Sequence, residues 1–74
     1  MYNYRYMIYV RKNGMWCFEN AFMTEEAADK HAALLSRNRT HVKVIERYED
    51  VTYTARILRI YHFYNGRYHH MIRR

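Results

Sequence analysis

The sequence predicts a single α+β domain: a small antiparallel sheet in the chain order β-β-α-β-β-β, with one helix packed on one face. Three observations carry this. Asn13-Gly14 and Asn65-Gly66 each lie between aromatic-rich stretches, and Asn-Gly in that setting marks a tight hairpin. Between them, EEAADKHAALLSR contains strong or tolerable helix formers and follows a threonine suited to capping. From Thr40 onward, β-branched and aromatic residues dominate.

Residues 2–23 make the first hairpin, and its register can be argued. A two-residue loop would pair Val10 with Cys17 and Ile8 with Glu19, leaving Trp16 and Phe18 on the side of Arg11 and Tyr9. A three-residue loop with Gly14 left-handed pairs Val10 with Trp16, Ile8 with Phe18 and Tyr4 with Phe22, collecting the apolar groups on one face. The second register is therefore expected. It leaves Asn3, Arg5, Met7, Tyr9, Arg11, Met15, Cys17, Glu19 and Ala21 on the opposite face.

A helix follows, capped by Thr24, with Glu25 and Glu26 at its positive end and Arg37 and Arg39 at its negative end. Its expected buried stripe is Ala27, Ala28, His31, Leu34 and Leu35, and Asn38 suits the left-handed residue that stops it. Two strands come next, HVKVIERY and VTYTARILRIYHFY, bending at Glu49-Asp50. Pairing across that bend sets Val42, Val44 and Tyr48 beside Ile57, Ala55 and Val51. His41, Lys43, Ile45, Arg47, Thr52, Thr54, Arg56 and Leu58 then share the other face. DVTYTARILRIYHFY also fits a second helix, with Val51, Ala55, Leu58 and His62 on one stripe, but its five β-branched residues favour a strand. At Asn65-Gly66 the chain turns again and brings RYHHMI back along YHFY. Although YVRKNGMW echoes YHFYNGRY, the flanks differ, so the 74 residues are read as one domain.

Nine tyrosines and thirteen Lys/Arg are set repeatedly side by side, and a net charge of +6 favours an acidic partner. The excess is uneven. Residues 1–37 hold five Lys/Arg against four acids, whereas residues 38–74 hold eight against three, with four of the five histidines. A lone Cys17 excludes an internal disulfide and suits a reducing, cytoplasmic setting. No apolar run is long enough to span a bilayer, and the alternation after Met1 is unlike a signal peptide, so a complete protein away from the membrane is expected.

One sheet face packs on the helix in this reading. The other bears Arg5, Tyr9, Arg11, Lys43, Arg47, Arg56, Tyr64, Arg67 and Arg73, a layout in which aromatics stack on bases and arginines meet phosphates. These nine residues are the candidate site. Ile45, Leu58 and Ile60 on the same face fit a protein interface as well. His62, His69 and His70 cluster near the last turn and could serve RNA cleavage, but adjacent His69 and His70 point to opposite faces of a strand. No three or four ligands converge on a metal, no glycine loop cradles phosphate, and no cofactor is expected. His31 reads as a core histidine, Cys17 as a packing residue, and Glu25, Glu26 and Asp29 as a solvated first turn.

The stretch YMIYVRKNGMWCFENAFMTEEAADKHAALL, with F-x-T-E-E-A opening the helix, resembles a β-hairpin-plus-helix module of small phage-encoded accessory and anti-defence proteins. Over the first half of the chain it also looks loosely like the arm-binding domain of phage-type integrases. That resemblance implies a stand-alone protein of a host cytoplasm that binds nucleic acid or host machinery. The leading expectation is a non-enzymatic binder of RNA, single-stranded DNA or a nucleoprotein complex. An inhibitor of a host defence or regulatory protein comes second and a small basic ribonuclease third. A homodimer is expected as a way of covering a short aromatic edge.

Overall fold

A computed structural model describes residues 5–49 and 55–69. Strands β1 (Tyr6–Lys12) and β2 (Met15–Phe22) lead into helix α1 (Glu25–Leu35) and a 3-10 turn (Ser36–Asn38). Strands β3 (His41–Glu49), β4 (Ala55–Tyr64) and β5 (Arg67–His69) complete the chain order. All pairings are antiparallel, in the spatial order β2-β1-β3-β4-β5, so this is the α+β sheet with one helix that the sequence predicts. The 50–64 region resolves to strand over its described part, 55–64.

The first hairpin takes the register that was not favoured. Asn13 and Gly14 have φ of 53° and 78°, so the loop has two residues, and Val10 pairs with Cys17 and Arg11 with Trp16. Left-handed residues at both central positions give the loop the twist of the flanking strands. A bulge at Glu19 then shifts the pairing, and Ile8 meets Asn20 and Tyr6 meets Phe22. Cys17 and Phe22 thereby pack towards the helix, while Trp16 and Phe18 move to the opposite face. The expected Tyr4–Phe22 pair involves a residue outside those described.

The β3–β4 register also differs from the tight bend expected. Val42 pairs with Phe63, Val44 with Tyr61 and Tyr48 with Arg56, and residues 50–54, where the bend was expected, lie outside the described residues. A bulge at Leu58 breaks the ladder between Glu46 and Arg47. Phe63 and Tyr61 bring more apolar area against the helix than Ile57 and Ala55 would, and this favours the observed register. Ile57 and Tyr48, expected in the core, are exposed.

The core is Tyr6, Ile8, Val10, Val42, Val44, Tyr61 and Phe63 beneath Ala28 and Ala32. Both alanines have no accessible surface, which lets α1 lie close on the sheet. The buried stripe is thus rotated from the expected one: Ala27 is exposed and Leu34 is 57 % exposed. Polar bonds explain the rotation. Tyr61 donates to Asp29 Oδ1 at 2.7 Å, and Arg59 reaches Glu25 at 2.6 Å and Glu46 at 3.1 Å. Glu25 and Asp29 therefore clamp the helix to the sheet and are not merely solvated. Burial pushes the Asp29 carboxyl up against the opposing effect of its Tyr61 bond, and burial with the Asp29 contact pushes the Tyr61 phenol far up.

Thr24 caps α1 as expected, accepting from the Ala27 amide at 3.3 Å. At the other end the 3-10 turn carries the chain one residue further, and Arg39, with φ of 59°, takes the left-handed position expected at Asn38. Buried Ser36 accepts from the Gly66 amide at 2.9 Å and donates to the Ala33 carbonyl at 3.1 Å, tying the last hairpin to the helix end. Gly66 sits at φ of 78°, and a Cβ there would meet Arg37 Cγ at 3.4 Å.

Candidate nucleic-acid interface

Strand alternation sends the side chains opposite the core onto a face that α1 does not cover. Directly paired positions form rows across it. One runs Phe18, Tyr9, Lys43, His62, His69; another holds Ala21, Met7, Ile45, Ile60; His41, Tyr64 and Arg67 lie in a third. The face has an aromatic and cationic end near the two Asn-Gly turns and an aliphatic end away from them.

At the cationic end the indole of Trp16 lies across the strands. Lys43 Nζ is 4.4 Å from the centre of a Trp16 ring and 5.6 Å from that of Tyr9, while the Arg11 guanidinium is 5.5 Å from Trp16. His62 lies 5.9 Å from Trp16, Phe18 meets Tyr9 edge-on at 5.7 Å, and His41 stacks on Tyr64 at 4.3 Å. Cations above rings gain from the ring quadrupole, and these contacts hold the long basic side chains over the sheet. His62 is held below the ordinary imidazole range, first by burial and then by the nearby charges of Lys43, His41 and His69. Its Nδ1 is buried without a hydrogen-bond partner. The acids Glu25, Glu46 and Asp29 are bonded on the helix side, and among the described residues no acid pairs with Lys43, Arg11 or Arg67.

Of the nine expected site residues, Tyr9, Arg11, Lys43, Tyr64 and Arg67 gather at the cationic end. Arg47 shares the face at the other end, opposite Arg5, whose carbonyl accepts its amide at 2.8 Å. The Arg5 guanidinium comes within 3.9 Å of Glu46. Arg56 is a correction. The β4 bulge turns it to the side of Tyr48, with its guanidinium 5.7 Å from that ring, away from the open face. Arg73 lies outside the described residues. His41, expected on this face, and His62 and His69, expected as a histidine cluster, stand at the same end; Trp16 and Phe18 join them unexpectedly, and the two-residue Asn-Gly loop was the signal that could have found them.

A separate groove of about 430 Å³ runs beside α1, lined by Phe22, Thr24, Glu26, Ala27, Lys30, His31 and Leu34. His31 packs on Phe22 at 5.2 Å with its Nε2 buried and unpartnered, so it borders the core without the satisfied setting expected for it. Among the described residues no cluster of His, Cys, Asp and Glu could hold a metal ion. Among them, too, no helix is long and apolar enough to cross a membrane. No protein-family model matches the chain, and the searches found neither a curated protein nor a solved structure similar to it.

Proposed function

We propose that this protein binds single-stranded nucleic acid, RNA or DNA, through the cationic end of its open sheet face. The observation that carries this is the packing of Trp16, Tyr9, Phe18 and Tyr64 among Lys43, Arg11 and Arg67, which bond to no acid among the described residues. Ring faces offer sequence-tolerant stacking to unpaired bases, and the interleaved cations suit phosphates. A base pair keeps both its faces in the stack, so a duplex could use only the charge.

Trp16 is the sole tryptophan, so its fluorescence reports on the face directly. Titration with a mixed-sequence single strand should quench it, with affinity falling as salt rises at a log–log slope of about −0.7 per neutralised phosphate. Trp16→Ala should weaken binding by about 5-fold to about 150-fold, the worth of one stacked base. Absence of salt-sensitive binding to either RNA or DNA strands at low ionic strength would sink this reading.

The aliphatic end favours a second reading. Ile57, Leu58 and Ile60 are 61 %, 47 % and 40 % exposed, and contiguous exposed aliphatics suit a protein partner, such as a host defence or regulatory protein, or a second copy of this chain. A bait purified from nuclease-treated lysate would then retain a protein, and Leu58→Lys would release it. Retention unaffected by nuclease but lost on Arg11→Ala alone would count against this end being the contact.

A further inference from the structure

We infer that Lys43, His62 and His69 cleave bound RNA by internal transphosphorylation, with His62 as the base on the ribose 2′-hydroxyl and His69 as the acid on the departing 5′-oxygen. The inference rests on the nucleic-acid reading above. In the sequence the adjacent His69 and His70 cannot act together, because neighbours on a strand face opposite ways. The sheet makes a different pair. Lys43 is the direct partner of His62 across β3 and β4, and His62 is the direct partner of His69 across β4 and β5. Directly opposed side chains start about 5 Å apart at Cβ. Two imidazoles so spaced can bracket one phosphodiester, with the lysine beside them.

The surroundings suit the substrate. Trp16 lies 5.9 Å from His62 and offers a ring to the base, while Tyr64 lies 6.1 Å from His69 on the other side. His62 faces Lys43 and His41 from β3, His69 from β5 and Trp16 from β2. Burial and these cations favour its neutral form, which is the form a base needs.

The chemistry balances without a redox partner. A neutral His62 nitrogen takes the 2′-hydroxyl proton as O2′ attacks the adjacent phosphorus. The P–O5′ bond breaks, and protonated His69 gives its proton to O5′. The products are a 2′,3′-cyclic phosphate on one fragment and a 5′-hydroxyl on the other, and a proton passing from His62 to His69 through water restores the pair. Lys43 faces the non-bridging oxygens, where negative charge grows in the transition state.

The test uses wild type, His62→Gln and His69→Gln, purified identically, against a short mixed-sequence RNA and its all-deoxy counterpart in EDTA. His69 is exposed, so its substitution leaves folding intact, as the unfolding midpoint will verify. Wild type should cut RNA to 2′,3′-cyclic-phosphate ends, leave the deoxy strand whole, and lose about 100-fold or more in rate with either substitution. The pH–rate profile should lose its acidic limb in His62→Gln. Intact RNA beside a deoxy strand that does bind overturns the cleavage and leaves the binding reading standing. Equal cleavage by all three preparations assigns the activity elsewhere and also overturns it. Neither binding nor cleavage ends both readings.

Discussion

Replacing Ser36 by alanine removes a buried hydroxyl that ties the last hairpin to the helix end. The side chain has no accessible surface; its Oγ accepts from the Gly66 amide at 2.9 Å and donates to the Ala33 carbonyl at 3.1 Å. Taking away only one side of such a pair is worse than taking away both, because the Gly66 amide keeps its desolvation and loses its acceptor; the cost is about 1–3 kcal/mol. For a domain of this size each kcal/mol moves the midpoint by roughly 4–8 °C, so a loss near 2 kcal/mol lowers Tm by about 8–16 °C. Thermal melts followed by circular dichroism measure this, and hydrogen exchange at the Gly66 amide locates it. A midpoint within about 2 °C of wild type, or unchanged exchange at Gly66, would refute the claim that this bond holds the turn.

Three further outcomes follow from the same packing. Tyr61→Phe removes the donor to Asp29 and leaves a part-buried carboxylate unpaired, which should cost about 1.5–3 kcal/mol in urea denaturation at neutral pH; a loss below about 0.5 kcal/mol would show that the bond contributes little. Ala32→Leu thrusts extra atoms between α1 and the sheet where no surface is accessible, so about 1–3 kcal/mol should be lost, whereas the same change at exposed Ala27 should be nearly neutral. Because His62 is depressed in the folded state, its contribution to stability is present above the unfolded imidazole value of about 6.5 and is lost as pH falls through the folded value. Tm should therefore drop on acidification below neutrality, and less so in His62→Gln; identical drops in both proteins would remove His62 as the cause.

The helix was legible because its signals are local. Thr24 caps from its own side chain, and the acids that follow suit the helix dipole, neither of which needs the rest of the chain. The two Asn-Gly turns were equally legible. What went astray was the weight given to apolar grouping over turn geometry: a two-residue loop with both residues left-handed is the twist-matched choice, and it sends Trp16 and Phe18 to the open face. Cations there shelter the indole, so the hydrophobic pattern did not need every ring on the helix side. The helix stripe was misplaced for a related reason. Leu34 is more apolar than Ala32, but the bonds from Asp29 to Tyr61 and from Glu25 to Arg59 turn the helix so that alanine faces the sheet.

The sequence by itself determined the α+β class, the places of both Asn-Gly turns and the excess of arginine, lysine and tyrosine, since turn geometry, helix capping and charge depend on neighbouring residues. Only the tertiary structure decided which side chains meet. Two bulges, at Glu19 and Leu58, reverse the alternation along β2 and β4, and a one-residue slip sends every later side chain to the other face. That is why Arg56 leaves the open face and Phe22 packs beside Cys17 on the helix side, while the two-residue loop puts Trp16 on the open face and the pairing of β3, β4 and β5 sets His62 between Lys43 and His69.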